Sequence, residues 1–291
     1  MKKTRIKILL TLSLCFVALG SLVACGSANN ESSTHELQIA VPSDTTNEAR
    51  ALLLLEDQGL IPLADGAGLQ ATANDIVDNP YNINIVETEA ASLPRTLADV
   101  DMAVINGNYA LSGGVSPEKA LASEDSHSAA AVEYANVIAV RAEDAGSEKT
   151  KVLVEILQSE EVKKFINDNY DGAVIPVDVA ALPVSDSKDT ENTTIKVGAS
   201  PAPHAEILAF AKDLIEERGY TLEIVEFSDY VQPNLALSDG EIDANYFQHY
   251  PYLEDYNKEN GTKLASAAKI HFEPLSLYAG KTTSIQDLKS E

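Results

Sequence analysis

Short apolar runs and stretches with helical spacing alternate along the chain. In the first half the apolar runs predict strands at residues 37–41, 83–86 and 102–105. After the first run, Pro42–Thr46 supplies a turn with capping residues, and a helix is predicted over residues 47–58. A shorter helix is predicted over residues 92–99. Strands and helices that alternate in this way favour a layered α/β fold.

The second half of the chain repeats this plan. Its apolar runs predict strands at residues 195–199, 222–227 and 242–244. A helix is predicted to begin at Pro201 and to run to about Arg218, and a short helix is predicted over residues 232–237. Residues 178–192 are rich in Ala, Ser, Asp and Pro, which predicts a surface linker between the halves.

The two halves correspond at a constant offset. Residues 83–87 match residues 222–226, and Pro94 falls on Pro233 (233 − 94 = 139). At the same offset Asn106 falls on Asn245 (245 − 106 = 139). We therefore expect two lobes of shared architecture. Each asparagine would follow the carboxyl end of a strand, where open α/β sheets bind their ligands.

The N-terminus has the pattern of a secretory signal. It begins with the basic residues Lys2, Lys3, Arg5 and Lys7. A mostly apolar stretch over residues 9–24 follows and ends in Leu-Val-Ala directly before Cys25. This predicts cleavage after residue 24, a lipid on the Cys25 thiol and a solvated tether over residues 25–36. The protein would then be extracytoplasmic and anchored to the cell membrane. The alternative is an ordinary signal in which Cys25 is incidental.

Charge and cysteine content narrow the possible partners. The formal net charge is −24, and the signal removes four positive charges, which leaves −28 (−24 − 4). Such a chain is unsuited to nucleic acid, whose phosphates require a basic face, and to broad binding of anionic lipid. Cys15 leaves with the signal and Cys25 would be lipidated, so no disulfide is expected in the mature chain.

Motifs for catalysis, metals and cofactors are missing from the sequence. No HExxH, CxxC, GxSxG, Walker A or GxGxxG pattern occurs. The histidines lack metal-ligand spacing; they are His35, His127, His204, His249 and His271. We expect no enzyme activity, no metal and no cofactor.

Two features favour binding instead. Arg50 lies one turn into the helix that follows the first strand, where free N–H groups and a guanidinium can attract a carboxylate. The alternative is a surface arginine paired with Glu48 or Asp57. Residues 245–252 form an aromatic cluster in a chain without Trp, and this cluster suits either a ligand cleft or the core.

Several segments resemble the methionine-binding lipoproteins of ABC importers. They are VPSDTTNEARALLL (41–54), LPRTL (93–97), FSDYVQPNLAL (227–237), GEIDANYFQH (240–249) and HFEPL (271–275). The resemblance covers nearly all of residues 37–291. It implies a two-lobed α/β fold like that of periplasmic binding proteins, with a ligand cleft between the lobes. It also implies methionine as ligand and the permease and ATPase of an ABC importer as partners.

The order of the segments departs from the family. There, the segment resembling residues 195–291 comes first, and the segment resembling residues 37–177 follows. The reversed order resembles a circular permutation, which predicts that Glu291 lies close to Leu37. The implied domain map begins with a signal at residues 1–24 and a tether at residues 25–36. Lobe A comprises residues 37–128 plus 277–291, and lobe B comprises residues 129–276. Hinges are expected near residues 126–131 and 273–279.

The resemblance also implies roles for individual residues. Arg50 would hold the α-carboxylate of the ligand, and Asn106 and Asn245 would bond its α-amino and carboxylate groups from opposite lobes. Tyr230, Phe247 and His249 would line the side-chain pocket. Further candidates for the site are Asn47, Tyr109 and Tyr250.

Three alternatives stay open at this point. The ligand could be another amino acid or a short peptide. The chain could be a surface lipoprotein for adhesion or scaffolding with a vestigial cleft. It could also be an enzyme whose motifs are unfamiliar.

Overall fold

The computed structural model describes residues 36–126, 132–177 and 193–286. The strands of this part are, in chain order, β1 (Leu37–Pro42), β2 (Ile83–Thr88), β3 (Met102–Ile105), β4 (Ala120–Ser123), β5 (Asn136–Arg141), β6 (Ile175–Pro176), β7 (Thr194–Ala199), β8 (Thr221–Glu226), β9 (Ala244–His249), β10 (Leu264–Phe272) and β11 (Ser276–Ala279). The α-helices are α1 (Thr45–Asp57), α2 (Leu93–Thr96), α3 (Gly107–Ser112), α4 (Glu148–Leu157), α5 (Glu160–Tyr170), α6 (Glu206–Glu217), α7 (Gln232–Ser238) and α8 (Tyr250–Asn260).

The strands form two mixed sheets. The first has the order β2-β1-β3-β11-β4, with β1 parallel to β2 and β3. The second has the order β6-β10-β5-β9-β7-β8, with β7 parallel to β8 and β9. In both sheets the remaining pairs are antiparallel. This is the mixed α/β architecture that the alternating pattern predicts.

Helix α1 forms where the sequence predicts it. Asp44 caps it by accepting a hydrogen bond from the Asn47 backbone N–H at 3.1 Å, and the helix ends before Gly59, whose φ is +66°. Leu52 and Leu55 are fully buried and pack with Ile39 in the core of the first sheet. Burial of such a leucine contributes about 1.5–3 kcal/mol, so the apolar face fixes the helix onto β1.

The predicted repeat is present in the strand registers. Ile39 pairs with Ile85 and Met102, while Val197 pairs with Ile224 and Ala244. An aspartate locks each unit in the same way. Asp101 and Gln38 exchange hydrogen bonds at 2.8 and 2.9 Å; Asp243 and Lys196 do so at 2.8 and 2.7 Å.

The offset between the halves changes along the chain. It is 139 between β2 and β8 (224 − 85) but 142 between β3 and β9 (244 − 102). The reason is α7, which has seven residues where α2 has four (7 − 4 = 3). The counterpart of Asn106 is therefore Gln248 (106 + 142), so its predicted correspondence with Asn245 was wrong.

Three predicted elements have different limits. The strand predicted at 242–244 begins only at Ala244 and continues through the aromatic cluster to His249. The helix predicted from Pro201 begins at Glu206, because Ala202 precedes a proline and has an extended backbone. Helix α2 ends at Thr96, short of the predicted residue 99.

The chain crosses between the sheets at the segment 273–275, which joins β10 to β11. A second crossing follows β4, and Glu124 ties the two together. Its N–H donates to the Leu275 carbonyl at 3.1 Å, and its carboxylate accepts from the Leu275 N–H at 2.8 Å. The segment 273–275 falls within the hinge predicted near 273–279, whereas residues 127–131 of the other predicted hinge lie outside the described residues.

The ends of the described chain lie in the same region. Gln38 and Thr282 both hydrogen bond to Asp101, and Ile285 packs on the core cluster that contains Leu37. The signal, Cys25, the linker 178–192 and Glu291 lie outside the described residues. Within the described part, no helix has the length and apolar character needed to span a membrane.

Candidate ligand-binding cleft

A cavity of about 350 Å³, part of it open to solvent, lies between the two sheets. From the first-sheet side its wall takes Asn47, Arg50, Asn106, Gly107 and Asn108. From the second-sheet side and the crossing it takes Asn136, Tyr230, Phe247, Gln248, His249, Tyr252 and Glu273. We call these two groups the first wall and the second wall.

Strand ends position the groups of this cavity. Asn106 directly follows β3 and is the N-cap of α3. Asn47 and Arg50 lie in the first two turns of α1, which follows β1, and His249 is the last residue of β9. These are carboxyl ends of parallel strands, where α/β sheets bind ligands.

Arg50 is a buried residue of the first wall, with 4 % of its side chain exposed. Its Nε and Nη2 bind the Glu124 carboxylate at 3.0 and 2.5 Å, and its guanidinium lies 4.3 Å from the centre of the Tyr134 ring. Burial disfavours the charge, but Glu124 offsets this, and the pKa of Arg50 lies above its ordinary value. The alternative of a surface arginine paired with Glu48 or Asp57 is therefore wrong.

The Nη1 atom of Arg50 points to Asn47, which connects the two walls. The Asn47 Oδ1 atom lies 3.4 Å from Nη1 and accepts hydrogen bonds from Asn106 Nδ2 at 2.8 Å and His249 Nε2 at 3.2 Å. His249 Nδ1 accepts from the Tyr252 N–H, which assigns the proton to Nε2. Burial, with Arg50 nearby, lowers the pKa of His249 well below its usual value. The imidazole is therefore neutral.

Two asparagines offer unused polar atoms to the cavity. Asn106 Oδ1 and Asn108 Nδ2 are buried and have no hydrogen-bond partner among the described residues. Their orientations are fixed because Asn106 Nδ2 donates to Asn47 and Asn108 Oδ1 accepts from the Tyr230 hydroxyl at 2.6 Å. The first wall thus presents an orphan acceptor and an orphan donor, which a polar ligand can satisfy.

Three aromatic rings form the apolar part of the second wall. Tyr230, Phe247 and Tyr252 form a triangle with ring centroids 5.7–6.0 Å apart. Burial raises the pKa of Tyr230 well above its usual value, so its hydroxyl is a fixed donor. The aromatic cluster in the sequence serves both predicted purposes, because the neighbouring Tyr246 is fully buried in the core.

Six of the nine candidate ligand residues line the cavity: Asn47, Arg50, Asn106, Tyr230, Phe247 and His249. Asn245 lies one layer behind it, where its amide bonds Pro233 O, Asn234 and Gln248. It is the second residue of β9 and not at its end, which explains the displacement. The Tyr109 ring lies outside this wall and is tilted against the Tyr230 ring, with centroids 4.7 Å apart, and Tyr250 donates to Glu254 on the surface.

The sequence reasoning missed Asn108, Asn136, Gln248, Tyr252 and Glu273 as wall residues. Glu273 lies within the motif HFEPL, and the corrected offset indicates Gln248 as the counterpart of Asn106. Asn136 begins β5, and no sequence motif marks it as a wall residue. Its position depends on how β5 pairs with β10.

A buried polar cluster lies below the cavity. His271 Nε2 and Glu273 Oε1 are 2.7 Å apart, His204 Nε2 lies 3.0 Å from Asn136 Oδ1, and Tyr246 bonds His271 Nδ1. His204, His271 and Glu273 are the described His and Glu side chains whose ligand atoms come within 4.8 Å of one another. These atoms already bond one another and their neighbours, and we assign them no metal.

Two α/β layers that enclose a polar cavity at the carboxyl ends of parallel strands define the periplasmic-binding-protein class. A family model described as NlpA lipoprotein matches residues 32–178 and 195–291. The chain therefore belongs to the NlpA lipoprotein family.

Curated relatives match over part of the chain. "Outer membrane lipoprotein 3" of Mannheimia haemolytica is 47 % identical over 138 residues, which are 47 % of this chain and 51 % of that protein. "D-methionine-binding lipoprotein MetQ" of Salmonella typhimurium is 44 % identical over 141 residues, with the same coverage. "Methionine-binding lipoprotein MetQ" of Bacillus subtilis is 45 % identical over 111 residues, covering 38 % and 40 %. The chain thus spans about half the length, or less, of these relatives.

Solved structures are similar over comparable stretches. A putative lipoprotein from Ruminococcus gnavus has 54 % identity and a TM-score of 0.48, covering 51 % of this chain and 62 % of that one. A nutrient binding protein from Burkholderia cenocepacia, solved bound to methionine, has 50 % identity and a TM-score of 0.44, covering 47 % and 57 %.

Proposed function

We propose that this protein captures methionine between its two lobes and delivers it to an ABC importer. The observation that carries the proposal is the pairing of the walls. The first wall offers Arg50 Nη1, Asn106 Oδ1 and Asn108 Nδ2, which complement the charged ends of an amino acid. The second wall offers aromatic rings, and a thioether packs well against aromatic edges.

The names of relatives support methionine as the ligand. Two of the matched proteins are called methionine-binding lipoproteins, and a similar protein was solved with methionine bound. A solute-binding role in a transporter involves no chemical change, so we propose that the protein is not an enzyme. Its partners would be the permease and the ATPase of the importer.

The proposed location is the outer face of the cell membrane. The lipobox that ends at Cys25 would provide the anchor, and residues 25–36 would tether the lobes to it. Lobe A would comprise residues 37–128 plus 277–291, and lobe B residues 129–276. We expect closure about the two crossings to bring the walls together around the ligand.

We propose further that the chain is a circular permutation of the family order. A single alignment to a relative covers about half of each chain, as expected if the halves are exchanged. Gln38 and Thr282 both hydrogen bond to Asp101, so the two ends of the described chain lie close together. A circular permutation requires this proximity, because these ends would be joined in the family order.

Two other functions are the alternatives to this proposal. A binding lipoprotein for another amino acid or a short peptide would still use Arg50, Asn106 Oδ1 and Asn108 Nδ2. An adhesion or scaffold lipoprotein with a vestigial cleft would need none of them.

Isothermal titration of the mature, unlipidated protein with L-methionine tests the proposal. The protein is first unfolded and refolded to remove any ligand carried through purification. We expect one-to-one binding. A protein that is folded by circular dichroism and yields no heat with methionine would contradict the proposal. The other amino acids and short peptides would then be titrated, and a complete lack of binding would favour the adhesion role.

A further inference from the structure

Glu273 is the single carboxylate among the described residues that line the cavity. It lies in the crossing between the sheets and is 6 % exposed. The sequence assigned it no role. Because a carboxylate in a small polar cavity attracts cationic groups, its partners decide what it can bind.

The carboxyl group of Glu273 is held from several sides. His271 Nε2 lies 2.7 Å from Oε1, and Asn136 Nδ2 donates to Oε1 at 3.4 Å. A side chain at Gly107 would clash, since a Cβ there would come within 2.8 Å of Oε2. The group is therefore fixed against the first turn of α3.

No strong cation pairs with this carboxyl group in the described part of the chain. His204 lies 3.4 Å away, but burial lowers the pKa of both His204 and His271 to about 3, so both are neutral. The guanidinium of Arg50 is bound to Glu124 and reaches only the Glu273 carbonyl, at 3.4 Å. A carboxylate has about four lone-pair sites, so a further donor can be accommodated.

The ionisation of Glu273 reflects this lack of a cation. Burial raises its pKa to about 7, against the opposing effects of His204, Arg50 and the Asn108 N–H. Other titratable groups in this region are Tyr230, Tyr246 and Tyr170, which stay neutral. A cation bound beside Glu273 would stabilise the carboxylate form.

We propose that Glu273 accepts the α-ammonium group of the bound amino acid while Arg50 and Asn108 bind its α-carboxylate. The inference rests on the proposed function in taking the ligand to be an amino acid. In such a ligand both charges are attached to one carbon atom, so their partners must be adjacent. Arg50 Nη2 lies 3.4 Å from the Glu273 carbonyl, and Glu273 Oε2 packs against Gly107, which directly precedes Asn108, so the partners are adjacent. Asn106 Oδ1 is a second acceptor for the ammonium.

The test compares two ligands and two variants. The ligands are L-methionine and 4-(methylsulfanyl)butanoate, which lacks the ammonium group. The variants are Glu273→Gln and the control Glu254→Gln, whose carboxylate bonds Tyr250 on the surface. We expect E273Q to weaken methionine binding by about tenfold or more. Its affinity for the ammonium-free ligand should stay within about twofold of the wild type, and E254Q should match the wild type for both.

The pH dependence supplies a second readout that a merely structural role would not produce. Below pH 7 Glu273 must lose a proton before the ammonium binds, so methionine affinity of the wild type should fall by up to about tenfold per pH unit. Binding of 4-(methylsulfanyl)butanoate should lack this decline between pH 7 and pH 6. If E273Q does not fold, the pH dependence of the wild type still tests the role of Glu273. The variant Glu273→Asp, which retains the charge, tests it as well.

The outcomes separate the two proposals. Equal losses for both ligands in folded E273Q, or no loss for methionine, would overturn the role of Glu273 while leaving methionine capture intact. If the wild type binds a different amino acid, the same comparison is made with that ligand and its ammonium-free analogue. If it binds no amino acid, both proposals fail.

Discussion

The two walls of the cleft are built on the same strand plan but carry different chemistry. Each side has a central strand with a parallel neighbour on either edge, locked by Asp101 in one unit and Asp243 in the other. The first wall carries amides and a guanidinium, whereas the second carries three aromatic rings together with Asn136, Gln248, His249 and Glu273. The difference indicates that the repeated scaffold supplies position, and that the aromatic rings for an apolar end of the ligand come from the second wall alone.

Few contacts join the walls, and each is specific. Tyr230 donates to Asn108, and His249 donates to Asn47, so each wall orients a polar group of the other. A polar ligand would complete the set by satisfying Asn106 Oδ1 and Asn108 Nδ2.

Removal of the guanidinium should disable the first wall. We expect Arg50→Ala to weaken methionine binding by tenfold or more, about 1.4 kcal/mol or above. It should also destabilise the fold by about 3–5 kcal/mol, because Glu124 is left partly buried without its cation. Calorimetry and thermal unfolding measure the two effects.

The control separates binding from folding. Arg218→Ala removes an exposed arginine, paired with Glu155, and should change neither quantity. The double variant R50A/E124A should regain part of the lost stability without regaining affinity. Unchanged methionine affinity in R50A would remove Arg50 from the site.

Glu273 should make the ligand-free protein sensitive to pH. Its pKa is raised from 4.5 to about 7 by burial, so the folded state holds the proton more tightly than the unfolded state. The stabilisation is fully present below pH 4.5 and is lost as the pH rises through about 7. The difference between these two pKa values corresponds to a change in the free energy of unfolding on the order of 3 kcal/mol.

Thermal unfolding without ligand tests this sign. The stability of the wild type relative to Glu273→Gln should fall between pH 4.5 and pH 7 and then level off. A difference that stays constant over this range would show that Glu273 titrates normally in the folded protein.

Gly107 should matter because Glu273 packs against it. A Cβ at this position would lie 2.8 Å from Oε2 and 2.9 Å from Cβ of Glu273. We expect Gly107→Ala to cost about 1–3 kcal/mol through overpacking. In a double-mutant cycle, Glu273→Ala should relieve part of this cost, since the contact with Oε2 is then gone while the contact with Cβ remains. Strict additivity of the two substitutions would contradict the contact.

The connection between the walls should have a smaller effect. Tyr230→Phe keeps the ring but removes the hydroxyl that fixes Asn108, so methionine affinity should fall by about 0.5–1.5 kcal/mol. Tyr250→Phe, which removes a surface hydroxyl bonded to Glu254, is the matched control. Calorimetry that finds equal affinities for both variants would contradict an orienting role for Tyr230.

Much of the fold was predictable because local signals agreed with it. The apolar run at residues 102–105 is β3, all four residues of which are buried, and the capping residues before α1 act as predicted. The strand at 242–244 was misplaced because the polar and aromatic residues of β9 do not look like a buried strand. They are buried through partners distant in sequence, such as Asn136 opposite His249.

The site was predictable where one local motif placed one residue. Arg50 and Asn106 follow strands in the sequence, so both could be found from spacing. Glu124 and Glu273 could not, because their roles depend on contacts across 74 and 137 residues of chain, with Arg50 and Asn136. A single sequence does not reveal such pairings.

Exchange of the halves should leave both walls unchanged. In the restored order, a chain would begin at residue 193, run to residue 291, pass through a short linker to residue 36 and end at residue 177. Gln38 and Thr282 both hydrogen bond to Asp101, so the new junction should close with little strain, and longer loops cost only about 0.6 kcal/mol per doubling of their length.

We expect the methionine affinity of the restored chain to lie within about twofold of that of the present order, since every contact of the cleft is kept. Folding rates should differ more, because the separation along the chain of contacting residues changes. A restored chain that folds but binds at least tenfold more tightly would show that the present order strains the cleft, and would contradict a neutral permutation.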